Sequence, residues 1–374
     1  MVGGGQLARM THQAAIALGQ TLRVLATAPD EPAAQVTPDV VIGSHTDLED
    51  LRRVAAGADA LTFDHEHVPT ELLDKLVMRR RLEELGAAVP RYSAIEKLDD
   101  IDAFAQRVCA SQEAPLVVKA VRGGYDGRGV RMARDVAHAR EIAGAYLVDG
   151  VPALVEERVR LRRELSALVA RSPFGQGAAW PVVETVQADG ICVLVIAPAP
   201  DLPADLAAAV QRLALRLAAE LGVVGVLAVE LFETTDGALL VNELAMRPHN
   251  SGHWTMDGAR TSQFEQHLRA VLDYPLGDTE AIAPVTVMAN VLGAPQQPAM
   301  TLDERLHHLL GRMPDARVHL YGKAERSGRK IGHVNFLGTD LADSAKLRER
   351  AELAAHWLSH GQWTDGWDPH DSRR

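Results

Sequence analysis

The stretch that decides the fold is "VGVLAVELFETTDGALLVNELAMRP", residues 224–248. Two runs rich in Val, Leu and Phe flank the turn sequence "TTDG", and apolar runs joined by Asp-Gly predict a β-hairpin. Glu230 lies in "AVELF" on the first arm and Glu243 in "VNELA" on the second. Pairing across the hairpin sets the two carboxylates side by side, where they repel unless neutralised. A divalent cation is the economical neutraliser. Oxygen donors without sulfur favour magnesium, or manganese in its place, completed by water and nucleotide phosphates. A protonated pair, or lysines from elsewhere in the chain, is the structural alternative. Asn242 adds an oxygen or orients a phosphate. The second arm then runs into "RPHNSGHW", residues 247–254, which crowds Arg247, His249, Asn250, Ser251 and His253 at the end of an apolar strand.

Upstream, "DLPADLAAAVQRLALRLAAELG" reads as a long amphipathic helix. In "APLVVKAVRGGYDGRGVRMA", residues 114–133, Lys119 sits on an apolar strand before a loop containing Gly123, Gly124, Gly127 and Gly129. A lysine within a strand is costly unless its ammonium meets an anion, and a glycine-rich connection can fold its amides over phosphates. The alternative is a solvated hairpin with a surface lysine. The next strand, "PALVEERV", and the following "RRELSALVAR" carry Glu156 and Glu164. These can present backbone and carboxylate to an adenine edge and a ribose, or simply pair with nearby arginines at the surface.

At the amino end, "MVGGGQLARMTHQAAIALG" followed by "TLRVLAT" reads as a βαβ opening, although Met1 and Val2 make a short first strand. Residues are therefore expected to be missing before Met1. "DVVIGS", "DLEDLRRVAAG" and "ADALTFDHEHVP" continue the alternation, predicting a parallel sheet with ligands at the carboxyl ends of its strands. "GGGQL" fits close approach of a phosphate or mere strand–helix packing, and lacks the third glycine of a dinucleotide fingerprint. His65 and His67 point to opposite faces of an extended segment, so they do not form a zinc pair; Glu66 between them can bond a ligand amine or hydroxyl.

Composition sets outer bounds. A chain of 374 residues, 47% hydrophobic, can bury a sizeable core in two or three domains. It has no run of roughly 18 apolar residues for a membrane span and no signal-peptide pattern, so a cytoplasmic location is the default. A net charge of −11 and 4% aromatic residues argue against a nucleic-acid surface. Cys109 and Cys192 have neither disulfide-framework nor metal-ligand spacing.

Taken together, Lys119, the "GGYDGRG" loop, "VEERV" and the Glu230 and Glu243 pair resemble the ATP-grasp enzymes. "GGGQLARM", "DHEHVP", "ELAMRPHNSGHWT" and "YGKAERSGRKIGHVN" are similar to one branch, the N5-carboxyaminoimidazole ribonucleotide synthetase family, and the likeness spans nearly the whole chain. It implies an ATP-grasp fold, α/β and α+β, with a Rossmann-like domain at 1–74, the ATP-grasp domain at 75–282 and a small α+β domain at 283–374. It also implies carboxylation of 5-aminoimidazole ribonucleotide by ATP and bicarbonate, through carboxyphosphate, in purine biosynthesis. By the same resemblance Lys75 and Lys119 meet phosphates, Arg247 holds bicarbonate or carboxyphosphate, and Tyr125, Asp126 and Arg128 close over the imidazole ribonucleotide. Gln6, Glu66, His249, Asn250 and Ser251 surround the aminoimidazole, Lys323 and Arg329 bind the ribose phosphate, and the assembly is a homodimer.

Two departures stand out. Roughly twenty residues, the size of a βα unit, are expected between "HVP" and "DKLVMRRRL", yet Pro69 and Asp74 almost adjoin; Met246 before Arg247 is a modest variation. The rival readings are an ATP-grasp ligase for another carboxylate or amine, and a non-catalytic ATP sensor. The branch motifs weigh against the first. The full set Glu230, Glu243, Lys119 and Arg247 weighs against the second.

Overall fold

The computed structural model describes residues 1–64, 74–109, 111, 114–122 and 129–367. At the amino end come α1 (Gln6–Ala17), β1 (Arg23–Ala26), β2 (Asp39–Ile42) and α2 (Leu48–Ala55). β1 and β2 are parallel, and Val2 makes parallel bridges to both Leu25 and Phe63. The short first run is thus a strand position between two neighbours, as the βαβ alternation requires. The glycines before α1 do not hold all their amides open to a ligand. Asp64 accepts hydrogen bonds from the amides of Gly5 and Ala8 at 2.9 and 3.2 Å, so the anion at the positive end of α1 is the chain's own. Burial pushes the Asp64 carboxyl up to about 6. The expected omission between Pro69 and Asp74 lies outside the described residues.

The central region has two lobes. The smaller is a four-stranded antiparallel sheet of β3 (Tyr92–Ile95), β4 (Leu116–Ala120), β5 (Val130–Ala133) and β6 (Ala153–Glu157), in the order β3-β6-β4-β5. Helices α4 (Asp99–Val108) and α5 (Val136–Val148) cover it, packing Ile101, Phe104 and Ala139 against Leu116, Val118 and Val155. The larger lobe comprises α3 (Lys75–Glu84), β7 (Leu161–Arg171), β8 (Gly177–Ala179), β9 (Val183–Ala188), β10 (Ile191–Ala197), α6 (Ala204–Glu220), β11 (Gly225–Thr234) and β12 (Leu239–Ala245). Val210, Ala214, Leu217 and Ala218 form one stripe of α6, with the i, i+4, i+7, i+8 spacing of an amphipathic helix, and bury it on β7 and β11. β11 and β12 form the expected hairpin, with Glu230 directly opposite Glu243.

After β12 come a 3-10 turn at Asn250–Gly252, α7 (Thr255–Gly258) and α8 (Gln263–Val271). The carboxyl-terminal elements are β13 (Val285–Leu292), α9 (Leu302–Arg312), β14 (Arg317–Leu320), β15 (Lys330–Gly338) and α10 (Ser344–His360). β13 pairs with β10, and one sheet runs β12-β11-β7-β9-β10-β13-β15-β14 through both regions. The physical reason is that β10 would otherwise leave an apolar, hydrogen-bonding edge exposed. Residues 368–374, the end of the polar tail, lie outside the described residues.

Candidate active site

A cleft of about 2600 Å³ opens between the lobes and is bordered by the amino-terminal glycines and the β14–β15 connection. Its floor is a buried cluster of charges. Lys119 on β4 donates to Glu156 on β6 at 2.6 Å and to the Asn242 side-chain oxygen at 3.2 Å. Arg79 on α3 reaches the other Glu156 oxygen at 2.9 and 2.7 Å and the Val241 carbonyl at 2.6 Å. Burial alone would raise the Glu156 pKa, but Lys119 and Arg79 outweigh it and hold the carboxylate below its ordinary value. Both Glu156 oxygens hold these two cations, so the carboxylate orients Lys119 at the cleft. Glu164 on β7 lines the cleft, and burial pushes its pKa up.

The hairpin carries the next layer. Glu230 pairs with Glu243, but Leu231 pairs with Val241, so Asn242 is an extra residue in β12. Such a β-bulge breaks strict alternation, which allows Asn242 and Glu243 to line the same cleft although they are neighbours in a strand. Glu243 accepts from Lys75 at 3.0 Å, and Glu230 lies 3.3 Å from His249 Nε2. Among the described residues no group of three or more His, Cys, Asp or Glu side chains could by itself cage a metal. Two facing carboxylates beside an amide oxygen nevertheless fit magnesium, which takes few protein oxygens and draws the rest from water and phosphate.

"RPHNSGH" forms the junction beyond β12. His249 Nδ1 accepts from the Ser251 amide at 3.3 Å, which puts the imidazole proton on Nε2, facing Glu230. Burial, with Arg247 and Lys330 nearby, pushes the His249 pKa well below its ordinary value, so the ring is neutral. Two of the residues expected around the aminoimidazole are hydrogen-bonded within the chain. Ser251 is buried, with its hydroxyl between Ser166 at 2.7 Å and His249 at 2.9 Å. Asn250 exchanges amide hydrogen bonds with Asn290 of β13 at 2.9 and 2.7 Å. In this structure both side chains brace the loop. Arg247 lines the cleft and donates to the Pro248 carbonyl at 3.0 Å.

Gln6 at the start of α1, and Lys323 and Arg329 in the β14–β15 connection, face the same cleft. Lys323 stands 5.8 Å from the Tyr321 ring centre. Arg326 and Lys330 join them there and were not singled out from the sequence. Arg79, Asn290 and Gln263 were also missed. A signal existed for Arg79: it lies four residues after Lys75 on one helix, so both project from the same face. Glu66, Tyr125, Asp126 and Arg128 lie outside the described residues.

Residues 1–89 match the ribonucleotide synthetase preATP-grasp domain, 80–264 the ATP-grasp domain, and 286–347 the phosphoribosylaminoimidazole carboxylase C-terminal domain. The N5-carboxyaminoimidazole ribonucleotide synthase of Mycobacterium leprae is 78% identical over 399 aligned positions, covering 99% of this chain and 91% of that protein. That alignment is longer than the 374 residues of this chain, so the relative carries residues this chain lacks. A crystal structure of an N5-carboxyaminoimidazole ribonucleotide synthetase with ADP has TM-score 0.85 at 32% identity, covering 96% of this chain and 97% of its own. The Aspergillus clavatus enzyme with ADP and 5-aminoimidazole ribonucleotide has TM-score 0.83 at 27% identity, covering 95% and 98%. The chain belongs to the N5-carboxyaminoimidazole ribonucleotide synthase family of ATP-grasp enzymes.

Proposed function

We propose that the cleft uses ATP to carboxylate the exocyclic amine of 5-aminoimidazole ribonucleotide with bicarbonate, giving N5-carboxyaminoimidazole ribonucleotide, ADP and phosphate. The observation that carries the residue assignment is the Glu230–Glu243 register pair, set between Lys75 on one side and His249 on the other. Bicarbonate oxygen attacks the γ-phosphorus and ADP leaves, forming carboxyphosphate. The amine nitrogen then attacks the carboxyl carbon, directly or as released carbon dioxide; phosphate leaves and the nitrogen gives up a proton. Magnesium held by Glu230 and Glu243, with Asn242 beside them, would neutralise charge on the phosphoryl oxygens.

The chain's own groups supply the rest. Lys119, fixed by Glu156, and Lys75 offer ammonium groups to the phosphates. Arg247 binds the carboxyl intermediate with a planar fork suited to carboxylate and phosphate. Neutral His249 directs an N–H across the acceptor side of the metal pair, and Gln6, Lys323 and Arg329 receive the ribonucleotide. Glu66, Tyr125, Asp126 and Arg128 complete the acceptor side in this reading. A homodimer belongs to the proposal too, with light scattering of the purified chain as its check.

The test is ADP release with magnesium, ATP and bicarbonate, with and without the ribonucleotide. The intact chain should be strongly stimulated, and Glu243→Gln should lose that stimulation. A chain that binds ATP but shows no stimulation would move the assignment to another ATP-grasp substrate or to a sensor.

A further inference from the structure

The "RPHNSGH" loop is gripped from behind by one side chain. Gln263, the first residue of α8, is fully buried. Its Oε1 accepts from the His249 amide at 2.8 Å, and its Nε2 donates to the His249 carbonyl at 2.8 Å. A backbone N–H only donates and a carbonyl only accepts, so these bonds fix which end of the amide is which. Nε2 must then donate its second hydrogen to His253 Nδ1, 2.9 Å away, which leaves the His253 proton on Nε2. The grip is close. A Cβ on Gly252 would stand 2.5 Å from Gln263 Oε1, and Thr255 ties the Gln263 amide to the Gly252 carbonyl at 2.9 and 2.6 Å.

We propose that Gln263 is a positioning residue for the amine-accepting half of the reaction: it clamps the two peptide units that flank His249 and orients His253 behind them, without touching substrate. This rests on His249 serving the acceptor site. The location supports the role. Phe264, the next residue, packs with Leu7 and Met10 of α1 and with Tyr321, two residues before Lys323. The His253 ring lies tilted against those of Phe264 and His333, with centres 5.6 and 5.0 Å away. The amide therefore sits where α1, the "RPHNSGH" loop and the Lys323 loop meet, and all three carry residues assigned to the ribonucleotide. An ångström of slack in such a support is enough to impair reaction geometry.

The experiment is steady-state kinetics of the full chain with ATP and 5-aminoimidazole ribonucleotide, comparing wild type, Gln263→Glu and His249→Ala, with thermal unfolding alongside. The glutamate has the same shape and can accept from the His249 amide, but as a carboxylate it cannot donate to the His249 carbonyl or to His253. The expected result is a KM for the ribonucleotide raised about tenfold or more and a KM for ATP within about twofold of wild type. Wild-type ribonucleotide KM and kcat in a folded Gln263→Glu would overturn the proposal, as would equal losses for both substrates with a lowered melting temperature, the mark of a purely structural residue. If His249→Ala leaves the ribonucleotide KM unchanged, the acceptor-site assignment itself falls; if it raises that KM while Gln263→Glu does not, only the present proposal falls. Should Gln263→Glu not fold, Gln263→Asn, one methylene shorter, must give the same split between substrates, and its failure to fold would also count against a specific positioning role.

Discussion

At the scale of single residues, the site is organised around the cost of burying charge. Arg79, Lys119 and Glu156 are 1%, 8% and 2% exposed, too dry for any one to be stable without the others. Two cations share one carboxylate, so the cluster keeps a net positive charge directed at the cleft through Lys119, a favourable surface for phosphate. Glu156→Gln leaves both cations without their counter-charge. We expect it to cost about 3 kcal/mol of stability, the scale for breaking a buried pair, and to raise the KM for ATP while the ribonucleotide KM moves less. Chemical denaturation and two-substrate kinetics check this; wild-type stability in the variant would mean the cations are balanced elsewhere. The sequence made Lys119 legible because a lysine within "LVVKA" demands an anion. Arg79 was not legible from composition: in "RRR" it has the same chemistry as its neighbours, and only its i, i+4 relation to Lys75 sets it apart.

At the scale of elements, the β11–β12 hairpin shows what a sequence pattern can and cannot say. The apolar runs and the "TTDG" turn disclosed the strands and the facing carboxylates. The bulge at Asn242 was hidden, because apolar/polar alternation does not register a single extra residue. Its effect is specific: Asn242 is added to the cleft without shifting Glu243 from Glu230. Deleting Asn242 should restore regular pairing, with Leu231 still opposite Val241 and Glu230 still opposite Glu243. The deletion variant is therefore expected to bind manganese close to normally, as read by electron paramagnetic resonance, while its KM for ATP rises about fivefold or more through loss of the Lys119 partner. Loss of manganese binding in a folded deletion variant would show instead that the bulge itself sets the carboxylate geometry. The continuous sheet was hidden for a related reason: strand pairing between β10 and β13 is a long-range choice, and "ICVLVIA" and "VTVMANVL" are each compatible with several partners.

At the scale of the whole molecule, α8 holds the regions in register. Its His267 Nδ1 accepts from the Val226 amide at 3.2 Å, so the proton sits on Nε2 and is donated to Thr62 of the amino-terminal domain at 2.7 Å. Gly225 makes room: its φ is +112°, and a Cβ there would lie 2.8 Å from the imidazole. Burial lowers the His267 pKa from 6.5 to about 4. The unfolded chain therefore binds more protons than the folded one between those pH values. The contribution is complete above pH 6.5 and is lost as pH falls towards 4, by about 3 kcal/mol at about 1.4 kcal/mol per pH unit. Burial pushes His249, His253 and His333 in the same direction, so the fold should be acid-sensitive as a whole. His267→Gln isolates one share of that sensitivity, because glutamine can occupy the position without a proton to gain. At pH 7.5 the variant should melt below wild type, and the gap should narrow steadily as thermal scans are repeated down to pH 5. A gap that stays constant with pH would mean that His267 titrates alike in the folded and unfolded chain, and the strut between domains would have to be sought elsewhere in α8.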